Sequence, residues 1–350
     1  MKITRKAVAG LAGVSLTTVS DVLNRTPDAR ISEETRKKVL WAVKKLDYQP
    51  DSLARGLVLQ KSFNIGILIC QSKEGFPLLK SLFTFEVLRG VQAVLKDSNY
   101  RVSFFSANNL REFDYKTLFS KKWVDGLIML EMVFSDLEIL ESDAKRERRP
   151  IIVLNDRLPA TRLNYVDIDN EGGVFQAMAH LVRLGYKKIG FVSGPQNQSN
   201  FVERLDAYKT SLKKYGLNYD PEIVIKKRPE DYGRIIDKWL VRRKCPQAIF
   251  AGSDAIAIEI IQVLKKRGLS IPKDVAIIGF DDIEISSRLD PPLTTVRQPM
   301  YEIGAFAARE LIDILEHKNI RRPVRKIFPT KLVVRESCGV KLKKNKEEVE

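Results

Sequence analysis

A short segment near the start of the chain carries side chains that can make specific contacts from one helical face. In residues 15–24 these side chains follow i, i+1, i+4 and i+5 spacing and are Leu16, Thr17, Ser20 and Asp21. The opposite side is apolar and consists of Val19, Val22 and Leu23. Hydroxyl, carboxylate and apolar groups on an exposed helix suit contacts with base edges in the DNA major groove, and Leu16 and Thr17 suit a thymine methyl.

Hydroxyl and amide side chains beside this face can anchor a nucleic-acid backbone. The expected phosphate contacts are Thr4, Thr18, Ser20 and Asn24. The alternative for each is simple helix capping or solvation. Ser15 stands where its hydroxyl can accept a hydrogen bond from an unpaired N–H of the first helical turn. We expect Ser15 to lie at the DNA-binding face as well. The chemistry that these residues offer is binding of a polyanion.

Neighbouring helices must hold this face outward. The spacing predicts a helix over Arg5–Ala12, a tight turn at Gly13-Val14 and a third helix capped by Ser32. Two capped helices joined by a short turn form a helix-turn-helix, whose second helix can enter the major groove. Residues 1–61 contain twelve Lys or Arg and six Asp or Glu, so they carry +6 of the net charge of +16. The positive charge is therefore densest where a DNA contact needs it.

The composition argues against a metal centre, a disulfide framework and a membrane protein. Cys70, Cys245 and Cys338 lie far apart without CxxC spacing, and the two histidines lie in separate segments. We therefore expect no metal, no cofactor and a reducing, cytoplasmic location. No apolar run approaches the ~20 residues that span a bilayer. The basic start followed by residues 7–16 faintly imitates a signal peptide, but a charged helical pattern follows at once.

From Asn64 onward, apolar runs of strand length alternate with helical patterns. The predicted strands are NIGILIC, YRVSFFS, VDGLIML, PIIVLN, KKIGFVSG, AIFAGS and DVAIIGFDD. The helices predicted between them are Phe85–Asp97, Gly173–Leu184, Glu203–Tyr215, Gly233–Leu240 and Ala255–Arg267. Buried strands that alternate with helices favour parallel sheets covered on both faces. Loops at the carboxyl edge of such sheets are where ligand sites form.

Motifs typical of enzymes do not occur in this sequence. It contains no GxSxG elbow, no Walker loop, no HExxH and no paired Cys/His set. The carboxylates of GFDD have no evident partner base. We therefore do not expect enzymatic activity.

Three segments of the first sixty residues carry a resemblance to a known family. TRKAVAGLAGVSLTTVSDVLN, ISEETRKKVLWAVKKLDYQP and DSLARGL resemble the headpiece and hinge of the lactose repressor (LacI/GalR) family. The resemblance implies a DNA-binding headpiece over residues 1–49 and a hinge helix and linker over residues 50–62. By position, Leu57 is implied to wedge into the minor groove with Ala54 beside it, because apolar contact and a DNA bend offset the cost of unstacking.

The sequence departs from that family at positions that decide the operator. Asp21 stands where an arginine is usual, so the common arginine–guanine contact is missing. Asp21 can instead accept a hydrogen bond from a cytosine amine or be turned away from the bases. Asp51 replaces a usual asparagine at the start of the hinge, and Gly56 lowers its helix propensity by ~1 kcal/mol relative to alanine. These departures leave the operator sequence open.

The rest of the chain resembles the effector domain of the same family. The motifs are VDGLIML, VDIDNEGGVFQAMAHLVRLGYKKIGFVSGP, the SD of AGSDAIAIEII, and LSIPKDVAIIGFDDIEISSRLDPPLTTVRQP. The implied fold class is α/β: an N-terminal helix-turn-helix headpiece, then a two-lobed periplasmic-binding-protein-like domain with parallel sheets over residues 63–338. Three crossovers would join the lobes, and a small molecule would bind between them. Residues 339–350 form a charged tail.

Matching motif positions implies a set of effector contacts. They are Phe76, Asn155, Arg204, Tyr232, Ser253 and Asp281. The planar fork of Arg204 suits a carboxylate or paired hydroxyls. Asp281 can accept hydrogen bonds from two adjacent hydroxyls. Asp254 and Asp282 are weaker candidates for effector contact than Asp281, and we expect them to be structural caps or hinge contacts.

Together these features predict a homodimeric, sequence-specific transcription regulator, and a repressor is the favoured type. We expect it to bind a near-palindromic operator in double-stranded DNA. A small-molecule effector would change its DNA affinity, and no membrane partner is expected. A carbohydrate or sugar acid is the favoured effector and a purine the lesser one. Two other hypotheses stay open: an exported solute-binding protein of like fold, and a regulator that answers to a protein partner or to no ligand.

Overall fold

The chain forms two compact units, Met1–Ser62 and Phe63–Glu350, in a computed structural model. The residues that the structure describes are 3–24, 30–48, 56, 59–70, 82–147, 149–156, 161–226, 229–317 and 323–342. No single helix in these ranges is long and apolar enough to cross a membrane; the first two helices reach that length and composition only as a bent pair. The division falls at the start of the predicted effector domain.

In the described part of the first unit, three helices pack around a small apolar core. They are α1 (Arg5–Ala12), α2 (Leu16–Asn24) and α3 (Glu33–Lys45). Gly13 ends α1 in the left-handed region, with φ of 65°, which glycine adopts without a side-chain clash. The chain bends by 103° between α1 and α2, within the range typical of a helix-turn-helix. The core residues are Val8, Ala9, Ala12, Val19, Val22, Val39 and Ala42.

The second unit begins with an N-terminal lobe whose sheet is entirely parallel. Its strands, in spatial order β11-β5-β4-β3-β1-β2, are β1 (Asn64–Cys70), β2 (Arg101–Ala107), β3 (Gly126–Leu130), β4 (Ile151–Leu154), β5 (Asn164–Ile168) and β11 (Arg325–Phe328). Its helices are α4 (Leu82–Leu95), α5 (Lys116–Ser120), α6 (Phe134–Arg146) and α11 (Met300–His317). Strands β1, β3 and β4 are almost wholly buried, as their continuous apolar runs require.

The C-terminal lobe repeats this plan, with one antiparallel edge strand. Its strands, in spatial order β12-β10-β9-β8-β6-β7, are β6 (Ile189–Val192), β7 (Val224–Ile225), β8 (Ala248–Ala251), β9 (Ala276–Asp281), β10 (Thr294–Arg297) and β12 (Lys331–Val333). Its helices are α7 (Asn170–Arg183), α8 (Ser199–Lys214), α9 (Pro229–Val241) and α10 (Asp254–Lys266). Only β12 runs antiparallel, against β10.

The chain passes between the lobes three times. It crosses from β5 to α7, returns from β10 to α11, and crosses again from β11 to β12. One apolar cluster contains residues of both lobes, including Ile67 and Phe280. The predicted fold class, a helix-turn-helix followed by a two-lobed domain with parallel sheets, is confirmed.

Helices α4 and α11 approach each other closely on the N-terminal lobe, and glycine makes this possible. A Cβ added to Gly304 would lie 2.0 Å from the carbonyl oxygen of Val87. A Cβ added to Gly90 would lie 1.9 Å from the carbonyl oxygen of Tyr301. Because neither contact leaves room for a methyl group, the packing of α11 on α4 depends on glycine at both positions.

Asp254 holds the C-terminal lobe together as a buried hydrogen-bond acceptor. Its Oδ2 accepts from the backbone N–H of Ile283 at 3.1 Å and from the Ser286 hydroxyl at 2.6 Å. Its Oδ1 accepts from the Thr295 hydroxyl at 2.5 Å. Burial raises the pKa of Asp254 above its ordinary value, and these hydrogen bonds oppose the rise. Asp254 thereby ties the start of α10 to β10 and to the turn after β9.

Replacing Asp254 by alanine should destabilise the protein by about 1–3 kcal/mol, because a buried N–H and two buried hydroxyls lose their common acceptor. Urea unfolding at neutral pH measures the change. Asp254→Asn is the control, since its amide oxygen can still accept from Ile283 and Ser286 and should retain most of the stability. Equal unfolding midpoints for the alanine variant and the wild type would show that the network carries no stability.

Candidate functional sites

Helix α2 presents one side to solvent and the other to the core of the first unit. Leu16 is 50% exposed. Thr17 is also exposed, whereas Ser20 and Asp21 are half-buried. Val19 and Val22 are buried on the other side. The residues predicted to face DNA therefore share an accessible surface.

Hydrogen bonds fix the start of this helix and join it to α1. The Ser15 hydroxyl accepts from the Thr18 backbone N–H at 3.0 Å, and the two hydroxyls lie 2.9 Å apart. Ser15 therefore caps α2, as predicted from its position. Thr4 precedes α1 and is exposed, and its side chain makes no capping bond. The predicted contacts of the Thr4 and Thr18 hydroxyls with DNA phosphates stay predictions.

Arg5 reaches from α1 to the face of α2. Its Nη1 donates to the Ser20 Oγ at 3.3 Å, so the hydroxyl predicted to contact DNA already has an arginine beside it. This places a guanidinium along the exposed side of α2, where the sequence pattern alone shows no cation. Arginine contacts phosphate with high geometric specificity. Arg5 is thus a further residue of this surface, in addition to the predicted DNA contacts.

Four predicted site positions lie wholly or partly outside the described residues. Ala54 and Leu57 of the hinge and Phe76 of the effector site are outside them. Asn24 is the last residue of α2, but its side chain is not among those described. Their proposed contacts stay predictions.

The strongest constellation in the second unit surrounds Arg204 on α8. Its Nε donates to the Asn170 Oδ1 at 2.8 Å, and its Nη1 donates to the carbonyl oxygen of Gly252 at 2.7 Å. The guanidinium carbon lies 3.8 Å from the centroid of the Phe280 ring. Arg204 is only 2% exposed. Burial lowers its pKa, and the charge of Asp281 opposes this most strongly. The side chain is therefore fixed in orientation before any ligand arrives.

Asp281 supplies the counter-charge at the carboxyl end of β9. Its Oδ1 lies 3.8 Å from the Arg204 Nη1, which is an ion pair at the limit of contact and leaves room for hydrogen bonds to other groups. The Gln298 amide donates to the same oxygen at 2.5 Å. Burial raises the pKa of Asp281, whereas Arg204 lowers it. Its φ of 135° is rare for a residue with a side chain, and such outliers cluster at functional sites.

Gln298 connects this pair to the N-terminal lobe. The Asn155 Nδ2 donates to the Gln298 Oε1 at 3.3 Å. Asn155 follows β4, whereas Gln298 lies in the crossover between β10 and α11. A continuous series therefore runs from Asn155 through Gln298 and Asp281 to Arg204, across the cleft between the lobes. Three of the six predicted effector contacts are brought together in this way, and the sequence pattern did not identify Gln298 or Asn170.

The other two described effector candidates have structural partners. The Ser253 hydroxyl accepts from the Ile256 backbone N–H at 3.2 Å and so caps α10. Tyr232 is 2% exposed within an apolar cluster of the C-terminal lobe, and burial raises its pKa to about 12. Asp282 forms ion pairs with Arg297 at 2.6 Å and with Arg335 at 2.7 Å. The contacts of Ser253 and Tyr232 with an effector stay predictions.

Two carboxyl groups of the N-terminal lobe also lie in the cleft. Asp156 accepts from the Ser199 hydroxyl at 3.0 Å through Oδ1 and from the Met132 backbone N–H at 3.0 Å through Oδ2. Glu131 accepts from the Thr84 hydroxyl at 3.4 Å. Glu131 follows the apolar run LIML directly, and Asp156 follows the run IVL after Asn155, so the position at a carboxyl strand end was a signal available in the sequence.

Comparison with known proteins decides what the two units are. The chain matches "Bacterial regulatory proteins, lacI family" over residues 4–51 and "Periplasmic binding protein-like domain" over residues 178–338. It is 32% identical to catabolite control protein A of Priestia megaterium, over 91% of this chain and 95% of that protein. The chain belongs to the LacI family. It is also 30% identical to the HTH-type transcriptional repressor PurR of Photobacterium profundum, over 95% of this chain and 98% of that protein.

Solved structures of LacI-family members agree with this placement. The transcriptional regulator CelR in complex with cellobiose superposes with a TM-score of 0.70 and 29% identity, covering 96% of this chain and 99% of that one. The predicted family membership is confirmed, and the chain is a DNA-binding transcription regulator with an exposed helix-turn-helix. The relatives found are regulators and not enzymes.

Leu16→Ala should weaken binding to a DNA site that the wild type selects from a random pool, by about fivefold. The exposed half of this leucine would lose about 1 kcal/mol of apolar burial against the DNA. Fluorescence anisotropy with the labelled site measures the change. Leu40→Ala is the matched control, because Leu40 is also 50% exposed but lies on α3. The same loss in both variants would mean that Leu16 does not lie at the DNA.

Proposed function

We propose that this LacI-family protein is a repressor that binds a near-palindromic operator as a homodimer and is controlled by a small carbohydrate-like effector in the cleft. The observation that carries the effector part is the series from Asn155 to Arg204, which joins polar groups of both lobes through Gln298. Such convergent, buried polar groups fix the orientation of a ligand. Repression is supported by the relative from Photobacterium profundum, which is named a repressor.

Dimerisation is the part of the proposal that gives operator affinity. One helix-turn-helix contacts too few base pairs for tight specific binding, whereas two related by a two-fold axis contact two half-sites. The operator should then have matching symmetry. An intact headpiece supports action on DNA in the cytoplasm and argues against an exported solute-binding protein. We propose no enzymatic role.

The effector would act by changing how the lobes are arranged. A ligand shifts a conformational equilibrium only when it binds one arrangement better than the other. Gln298 lies in one of the three crossovers and is bonded to a residue of each lobe, so a ligand at Arg204 and Asp281 directly affects the connection between them. The paired donors and acceptors at Arg204 and Asp281 suit adjacent hydroxyls better than an apolar molecule. The structure of CelR with cellobiose shows that a LacI-family relative binds a sugar.

The proposal is tested by selecting DNA from a random pool with the full-length protein and measuring its affinity with and without a panel of sugars, sugar acids and nucleosides. An effective compound should change operator affinity by about 5–150-fold, the usual range of allosteric coupling. Arg204→Lys should retain operator binding and lose most of this response, because lysine cannot replace the planar fork that bonds Asn170 and Gly252.

Arg234→Lys is the matched control, since Arg234 lies on α9 with its side chain 80% exposed. It should respond to the effector like the wild type. A full response in Arg204→Lys would place the effector elsewhere. If no compound changes either operator affinity or thermal stability, a regulator that answers to a protein partner or to no ligand becomes the better explanation.

A further inference from the structure

The segments that lead into four strands of the C-terminal lobe carry a concentration of positive charge. Each of β6, β7, β8 and β9 is preceded by the last turn of a helix and a connecting segment, which are residues 180–188, 211–223, 238–247 and 263–275. We call these four segments the basic pole. They contain thirteen Lys or Arg and three Asp or Glu, so they carry a net charge of +10. This equals the net charge of the whole chain beyond residue 61.

The basic pole lies at one end of the second unit, away from the cleft. Asn155, Asp281 and Gln298 end or follow strands of the two lobes and are joined by hydrogen bonds, so the carboxyl ends of both sheets face the cleft. The amino ends of the strands, and with them the basic pole, lie on the far side of the lobe. The chain enters the second unit at the start of β1, which is the amino end of a strand in the other lobe. Both lobes therefore separate the basic pole from this entry point.

Helix dipoles account for only part of this charge. Lys and Arg are favoured in the last turn of a helix, because they complement the partial negative charge of its carbonyl groups. The N-terminal lobe has four segments of the same kind, residues 92–100, 117–125, 143–150 and 314–324, which lead into β2, β3, β4 and β11. They contain ten Lys or Arg and five Asp or Glu, a net charge of +5. The basic pole carries twice that charge on the same number of helix ends, so a second cause is needed.

Six exposed cations of the basic pole form no ion pair among the described residues. They are Arg183, Lys187, Lys213, Arg243, Lys266 and Lys273. The acids of the pole are engaged elsewhere. Glu222 pairs with Arg242 and Lys244. Asp220 and Asp274 each accept a hydrogen bond from a nearby backbone N–H. The six cations are therefore available to an external anion.

Two turns of the basic pole are held side by side by hydrogen bonds. The side-chain oxygen of Gln247 accepts from the backbone N–H of Lys187 at 2.9 Å and from that of Lys188 at 3.1 Å. The Lys188 ammonium donates to the carbonyl oxygen of Lys244 at 2.7 Å. These bonds connect the turn before β6 with the turn before β8, and the two strands are neighbours in the sheet. The backbones that carry Lys187 and Arg243 are thus fixed next to each other, so less ordering is needed when an anion binds.

A DNA duplex is the polyanion that fits this surface. Neighbouring strands lie ~4.8 Å apart, so the starts of the four adjacent strands β9, β8, β6 and β7 extend over about 14 Å. A duplex carries one negative charge per ~1.7 Å of its axis, so about eight phosphates lie within that length. Lys and Arg side chains suffice for sequence-independent contact with phosphates. The chain belongs to a family of DNA-binding regulators, so duplex DNA is the polyanion that it meets at its operator.

We propose that the basic pole is a second DNA-binding surface, which holds the phosphate backbone of a duplex other than the operator without reading its sequence. The proposal goes beyond the operator and effector functions and does not depend on the cleft. A protein that holds an operator through its headpiece and another duplex through the basic pole connects two stretches of DNA. The contact should weaken steeply with salt, because each neutralised phosphate releases counterions.

The test binds the full-length protein to one equivalent of the operator selected from a random pool, and then titrates in a labelled duplex of unrelated sequence. Fluorescence anisotropy at several salt concentrations measures the affinity for this second duplex. We expect a complex that contains both duplexes. The triple variant Lys187→Gln, Arg243→Gln, Lys273→Gln should bind the second duplex at least about tenfold more weakly, and the slope of log affinity against log salt should fall by about 3, because three phosphate contacts are lost. Its affinity for the operator should not change.

The matched control is the triple variant Lys96→Gln, Lys145→Gln, Arg146→Gln, which removes the same charge from exposed side chains at the corresponding edge of the N-terminal lobe. It should bind the second duplex like the wild type. Equal weakening in both triple variants would mean that only net charge matters. Either that result or the absence of a complex with two duplexes in the wild type overturns the proposal. Single-stranded RNA of equal charge that binds the operator complex more tightly than the duplex would assign the basic pole to RNA, and so would overturn it as well.

Discussion

The cleft depends on one buried positive charge, the guanidinium of Arg204. A cation this deeply buried is tolerated only when its hydrogen bonds are satisfied and a counter-charge is near. Asn170 and Gly252 supply acceptors, Phe280 supplies an aromatic face, and Asp281 supplies the charge. These partners come from the starts or ends of different elements, so the lobe must fold correctly before the site exists. Gln298 then extends the same network to the other lobe.

Much of the architecture follows from buried apolar runs and helix caps. Ser32 and Gly13 mark the ends of headpiece helices, and continuous runs such as NIGILIC form the buried strands. The elements next to the crossovers were harder to predict. Strands β5, β10 and β11 are short and partly polar, with sequences NYVDI, TTVR and RKIF, so local periodicity does not distinguish them from loops. Only pairing with strands far away in sequence defines them.

Site residues that lie in a recognisable sequence motif could be predicted. Residues whose role depends on partners far away in sequence could not. Arg204, Asp281 and Asn155 were identified because they occupy positions of a known motif, and the structure brings them together. Gln298 could not be found from spacing, since its importance comes from two partners 143 and 17 residues away. Glu131 and Asp156 resemble ordinary residues at a strand end until the burial that raises their pKa becomes visible. Electrostatic environment is a property of the folded chain.

The three passages between the lobes also have a consequence for biosynthesis. The N-terminal lobe is completed by α11 and β11, which are encoded after almost the whole C-terminal lobe. Glycines on α4 and α11 permit near-contact of the two backbones. A nascent chain on the ribosome therefore cannot close its first lobe until residue 328 has emerged. The headpiece core lies within residues 8–42, so all of its residues are synthesised long before the last elements of the effector domain.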